Sequence, residues 1–244
     1  MKKAGSILLA TLALLLAWQL ASLALDKAFL PGPLTSFAAF FALCKEGEMW
    51  PQFVLSAWRV LSATALGVLL AVPLGMACGR SALLYRVSAP LVAILYPLPK
   101  VVFLPVLVVL FGLGNLPKIL LITLIIFFQI FVVVCDAARK LPQESVDAMH
   151  TMSRRTGNVF CHLLLPACLP QVLTSLRISV GSSIAVLFFA ETFASFDGLG
   201  YLILDGMDAR DYPDMFAGII GMALLGVLFY EGLYLVEKHL CRWR

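Results

Sequence analysis

The sequence predicts an all-α protein that crosses a membrane about six times, and three observations predict it. The chain of 244 residues is 61% hydrophobic and 13% charged, with a mean hydropathy of +0.97. Soluble domains run at about 45–50% apolar and about 25% charged, and a water-soluble fold of this size has too little interior to hide the excess. Next, the apolar residues gather in runs of roughly 20, the length of helix that spans a hydrocarbon core. Last, Lys and Arg concentrate in alternate gaps between those runs, as short cytoplasmic loops require. The runs are helical because a helix satisfies its own backbone inside lipid.

The first run, 6–25, follows Lys2 and Lys3. A positive start, an apolar stretch and small residues near Ala21 to Ala24 also fit a signal peptide. The stretch from Ile7 to Leu25 exceeds the usual signal core of about 7–15 residues, and Trp18-Gln19 disturbs a cleavage pattern, so a retained span is expected. The loop from Asp26 to Gln52 holds Pro31-Gly32-Pro33 and then FAAFFAL, which reads as a short interfacial helix. The second span is 54–78 and the third 88–112. Within the third, Pro97, Pro99 and Pro105 predict an interrupted helix. Broken backbone at membrane depth is tolerated where protein covers it or it lines a cavity. The remaining spans are 117–138, 171–194 and 214–236.

Orientation follows from the basic residues. With the N-terminus inside, eleven lie on the cytoplasmic side: Lys2, Lys3, Arg80, Arg86, Arg139, Lys140, Arg154, Arg155, Lys238, Arg242 and Arg244. Four lie outside: Lys27, Lys45, Lys118 and Arg210. Both termini are therefore expected in the cytoplasm, and so is the segment 141–166. The stretch from Phe196 to Asp214, with five aspartates, is expected outside. Arg59 and Arg177 are read as anchors at span ends.

Several function classes are excluded. The net charge of +4 sits in short loops rather than on one basic face, so no nucleic acid is expected. The six cysteines form no C-x-x-C pair and no metal spacing. No Gly is followed by Lys, so there is no phosphate-binding loop for ATP, and neither H-E-x-x-H nor G-x-S-x-G occurs. A membrane enzyme would need clustered His or acidic residues at one face, which His150, His162 and His239 do not form.

The polar island from Leu141 to Pro166, LPQESVDAMHTMSRRTGNVFCHLLLP, stands out between two oily runs. Pro142 suits a first helical turn, and Glu144 and Asp147 favour a helix N-terminus. Val146, Met149 and Met152-Ser153 offer an apolar or small face that fits a groove on a partner. Arg154-Arg155 place positive charge near the helix end. Gly157 is the residue expected to turn the chain, and Pro166 and Pro170 are expected to break it before the next span. The alternative is an amphipathic loop lying on lipid headgroups.

The island resembles the coupling loop of ABC importer permeases, E-A-A-x3-G-x9-I-x-L-P. Leu165-Pro166 anchors the pattern, with Leu163 at the Ile position, Ser153 at the Gly position and Asp147-Ala148-Met149 at E-A-A. Further likeness runs along the chain: Ser56 to Leu61, Gly67, Val72 to Gly75, Tyr96 to Pro99, Leu104-Pro105, Phe111 to Gly114, Ala190-Glu191 and Gly198 to Tyr201. Together these resemble the nitrate/sulfonate/taurine-type branch. The resemblance implies a type I ABC importer permease fold and a single transmembrane permease domain over 1–244. It implies a second permease copy, a cytoplasmic ABC ATPase dimer on the coupling loop and an extracytoplasmic solute-binding protein. ATP and magnesium would be bound by the ATPase, with no cofactor and no covalent chemistry in this chain. The expected location is the bacterial cytoplasmic (inner) membrane, as a multi-pass protein in contact with lipid. The rival is an ion-coupled secondary transporter, which usually carries internal repeats; no convincing repeat is present.

Three polar residues inside spans are pathway candidates. Lys100 lies mid-span among the prolines, where a buried ammonium needs a counter-charge, water or a role; snorkelling is its alternative. Glu191 near the outer end of the fifth span either lines the path or pairs structurally. Gln129 serves as a helix–helix hydrogen bond or a pathway ligand.

Overall fold

The computed structural model describes residues 2–152, 156–193 and 195–242. Every regular element among them is helical. In chain order these are α1 (Lys2–Leu25), α2 (Pro33–Glu46), α3 (Met49–Arg80) and α4 (Ala82–Leu95). A 3-10 turn (Lys100–Phe103) leads into α5 (Leu104–Phe111), followed by α6 (Asn115–Lys140) and α7 (Gln143–Met152). Then come α8 (Thr156–Val159), a π-helical segment (Phe160–Leu164), α9 (Leu165–Thr192), α10 (Leu199–Asp208) and α11 (Tyr212–Leu240).

Four of these are long and apolar enough to cross a membrane: Met49–Arg80, Asn115–Lys140, Gly157–Thr192 and Tyr212–Leu240. The third predicted span is a bent pair, Ala82–Leu95 and Lys100–Phe111, with an angle of 87° between its halves. Among the described residues, counting that pair as one gives five candidate spans. The first candidate is the shorter apolar helix Leu9–Leu25. The bend falls at Pro97-Leu98-Pro99, where two residues lack an N–H and α4 cannot continue.

Proline did not act the same way before α9. The helix runs on from Gly157 to Thr192 instead of breaking at Pro166 and Pro170. The π-helical turn at Phe160–Leu164 immediately precedes Pro166. An extra residue in that turn shifts the hydrogen-bond register and accommodates a residue that cannot donate. Gly157 is itself helical, so it does not make the expected turn.

Contacts divide the chain into two compact units: Met1–Ser56 with Glu191–Leu225, and Ala57–Ala190 with Gly226–Arg244. In the first, Trp18 of α1 stacks on Phe216 of α11, and its indole N–H donates to the Pro31 carbonyl at 3.1 Å. The α10–α11 hairpin is close-packed. A Cβ on Gly206 would lie 2.7 Å from the Met215 nitrogen, and one on Gly218 would lie 2.7 Å from Ile203 Cγ1.

In the second unit, α3 and α6 form the core. Gly67, Ala71, Gly75 and Gly79 repeat every four residues and so share one face of α3. A Cβ on Gly67 would come within 2.7 Å of Ile126 Cγ2, and one on Gly79 within 2.5 Å of the Cys135 carbonyl. Ile122, Ile126, Ile130, Val134 and Ala138 form the matching buried stripe on α6. Small residues let the backbones approach, which is how helices gain contact in lipid. Gly181, by contrast, has no neighbour within 4 Å of a Cβ position. Outward leucines are plentiful, such as Leu9 on α1 and Leu69 on α3, because lipid is their solvent.

Candidate functional site

The broken third span, α6 and α9 line a largely apolar cavity that carries several polar side chains. It measures about 350 Å³ and is lined by Tyr96, Gln129, Gln171, Thr174, Ser175 and Ser179 together with Val133 and Ile178. Gln171, Thr174, Ser175 and Ser179 are spaced three and four apart and so lie along one face of α9. Ser182 continues that face and accepts a hydrogen bond from Gln129 Nε2 of α6 at 3.2 Å. Gln129 thus links two helices and also lines the cavity. The stripe on α9 was missed in the sequence. Its signal is helical periodicity of small polar residues within an apolar span.

Lys100 is half-buried at the start of the 3-10 turn. Its ammonium donates to the carbonyl of Tyr96, a group released by the helix break. It also lies 5.0 Å from the Tyr96 ring centroid and 5.3 Å from that of Phe128. Tyr96 also lines the cavity, so the charge is held by an acceptor and two π-faces next to one of its lining residues.

Glu191 is fully buried. Its carboxylate accepts from Ser56 Oγ at 2.8 and 2.9 Å and from the backbone N–H of Gly200 at 2.9 Å. Ser56 Oγ in turn accepts from Leu199 N, and Gln52 Oε1 accepts from Gly198 N. The first N–H groups of α10 thus find acceptors on α3 and α9, in place of a local capping side chain. Gly198 at φ +97° supplies the bend into that helix. Gln52 was not singled out in the sequence, and Ser56 was marked only within a stretch of family likeness, because nothing local ties either residue to Glu191.

The two span-anchor arginines also have interior partners. Arg59 is fully buried and donates through Nε to Asn115 Oδ1 at 2.8 Å. Arg177 pairs with Glu237 of α11 at 3.2 Å, between the rings of Tyr230 and Tyr234. Neither sits as a free anchor at a span end.

On the polar island, α7 exposes Asp147 and Ala148, half-buries Met149 and buries Val146. Gln143 Nε2 donates to Asp147 Oδ1 at 2.9 Å, and Arg80 Nη2 donates to Gln143 Oε1. Arg80 Nη1 donates to the carbonyls of Ala138 and Leu141 at 3.4 and 3.2 Å. A cation at the end of α3 thus caps the end of α6 and holds the start of α7. Leu163 and Pro166 are half-buried where the π turn meets α9. Ser153, Arg154 and Arg155 lie outside the described residues.

Residues 71–240 match the binding-protein-dependent transport system inner membrane component family. The chain belongs to that family. It is similar to the taurine transport system permease protein TauC of Escherichia coli, at 29% identity over 96% of this chain and 88% of that protein. It is also similar to the putative aliphatic sulfonates transport permease protein SsuC of Bacillus subtilis, at 29% identity over 88% of this chain and 78% of that one. Among solved structures, a chain of the MetNI methionine ABC transporter, in inward-facing conformations, matches with a TM-score of 0.66. That likeness has 17% identity and covers 80% of this chain and 98% of that chain, and it shows the fold. The protein is therefore a membrane permease subunit of an ABC importer with the type I permease fold, and the ion-coupled carrier falls away. Its work is conduction rather than catalysis.

Proposed function

We propose that this permease carries a small anionic or zwitterionic organic solute, of the sulfonate kind, inward across the bacterial cytoplasmic membrane. The observation that carries the reading is the cavity of about 350 Å³ with hydroxyls and amides on one wall and the ammonium of Lys100 at its Tyr96 edge. A cation in a partly dry site attracts an anion, and hydroxyls and amides supply many weak, exchangeable contacts. Such a site holds a solute without trapping it. The names of the relatives, taurine and aliphatic sulfonate permeases, support the same chemistry. Lys100 and Gln129 are assigned to the pathway. For Glu191, full burial and saturation by Ser56 and Gly200 favour the structural alternative, a cap that fixes α10.

The pathway is completed by a second copy of the chain. A separate cytoplasmic ATPase dimer binds ATP and magnesium and docks on Asp147, Ala148, Met149 and Ser153, with Leu163 and Pro166 setting the frame of the loop. An extracytoplasmic binding protein delivers the solute. Both termini and the segment 141–166 lie in the cytoplasm, on the count of eleven basic residues against four.

Reconstitution with the ATPase and binding protein tests this directly. ATP-dependent uptake of labelled taurine or an alkanesulfonate is expected, and uptake of a cationic amino acid is not. Equal uptake of the cation would overturn the solute class. Replacing Ala148 by Arg is expected to leave the permease in the membrane but abolish uptake; normal ATPase binding and uptake in that variant would remove α7 from the docking surface. In a background without the six native cysteines, Ser153→Cys is expected to label only from inside and Asp205→Cys only from outside.

A further inference from the structure

The ends of α3 and α6 and the start of α4 line a second concavity that shares no residue with the first. It measures about 500 Å³, and its lining includes Arg80, Arg86, Arg139, Tyr85, Ser81 and Gln143. Three arginines from three helices line it, and no carboxylate is among the lining residues. Two of the three are pre-oriented. Arg80 is fixed by the carbonyls of Ala138 and Leu141 and by Gln143. Arg139 lies flat over Tyr85, 3.8 Å from the ring centroid. Cations that merely anchor span ends spread into the headgroup layer; these are gathered around one space.

We propose that this concavity binds the phosphate headgroup of an anionic membrane phospholipid. Depth and flanks select a lipid over a soluble phosphate. Arg80 and Lys140 end two membrane-spanning helices, so the concavity lies at the level where headgroups sit. The adjoining face of α4 carries Leu83 and Val87, 71% and 58% exposed, beside which acyl chains can run. Guanidinium forks match phosphate oxygens bidentately, and basic pockets between spanning helices on the cytoplasmic side suit anionic headgroups. Because Gln143 lines the concavity and also bonds Asp147, a bound headgroup touches the root of α7. The assignment is independent of which solute is carried.

The test is native mass spectrometry of the full-length permease in detergent doped with phosphatidylglycerol or phosphatidylcholine. Preferential retention of phosphatidylglycerol is expected. The double variant Arg86→Gln/Arg139→Gln, which spares the Arg80 contacts, should weaken retention by roughly 30-fold, from about fivefold per arginine. Lys238→Gln/Arg242→Gln removes equal charge at the end of α11 and should change nothing. Arg86→Lys/Arg139→Lys should restore part of the retention, which separates lost charge from lost folding. Equal retention of the two lipids would overturn the proposal, as would equal loss in the α11 variant. Displacement by millimolar inorganic phosphate would assign the site to a soluble anion instead. Loss of ATPase binding in the α4/α6 variant with lipid retention intact would assign it to the partner subunit.

Discussion

The carboxylate of Glu191 is sealed from solvent and accepts hydrogen bonds from Ser56 and from the first turn of α10, whereas the ammonium of Lys100 sits half-buried on a helix break. Around it are one backbone carbonyl and the faces of Tyr96 and Phe128. Both are charges set in apolar helices, where a charge is costly unless it is matched. Glu191 holds hydrogen bonds from Ser56 and Gly200, which is why it is proposed as architecture. The partners of Lys100 are a carbonyl and two ring faces, and under the proposed function a passing anion supplies what they lack. Saturation, rather than position in a span, is what separates the two proposed roles.

That contrast can be broken by substitution. The largest effect is expected for Glu191→Ala. It leaves the Ser56 hydroxyl and the Gly200 N–H without this acceptor, at about 1–3 kcal/mol for each buried group. The folded permease should accumulate poorly and melt early in detergent, as read by a thermal-shift assay. Glu191→Gln keeps an oxygen acceptor and should recover most of the stability. An alanine variant as stable as the parent would remove Glu191 from the architecture.

Lys100→Met comes next. It keeps much of the apolar stem and deletes the charge. Membrane level and assembly with the ATPase should be unchanged, while uptake of an anionic solute falls about tenfold or more, the worth of one charged hydrogen bond. Unchanged uptake would make Lys100 a snorkelling residue; loss of the complex would make it structural, like Glu191. The smallest effect is expected for Gln129→Leu, which removes the bond to Ser182, a loss of about 0.5–1.5 kcal/mol. Uptake should drop a few-fold with little change in melting, because Gln129 belongs partly to packing and partly to the cavity wall.

The interruption at Pro97 and Pro99 was legible in the sequence, because proline acts on its own backbone wherever it falls. Pro166 followed the same local rule yet was absorbed by the preceding π turn, a choice that depends on what the surrounding helix packs against. Gly67 and Gly75 could be read as sites of close approach, but their fit to the Ile126 and Val134 stripe required both helices in place. The polar stripe on α9 was readable in principle from its period. That Tyr96 and Gln129 face it was not, since those residues come from separate spans.

The sequence by itself determined the solvent, the secondary structure class and the family. Apolar run length, charge placement and the motif around Leu165-Pro166 are local properties that do not depend on how helices meet. The tertiary structure decided which polar residue has which partner. Ser56 reaches Glu191 across 135 residues and Arg80 reaches Gln143 across 63. Both pairings meet hydrogen-bond demand at helix ends: the first in the buried interior, where water is excluded, and the second at the exposed end of α6. A charge in an apolar run therefore announces from sequence that it needs a partner, and only packing selects which one.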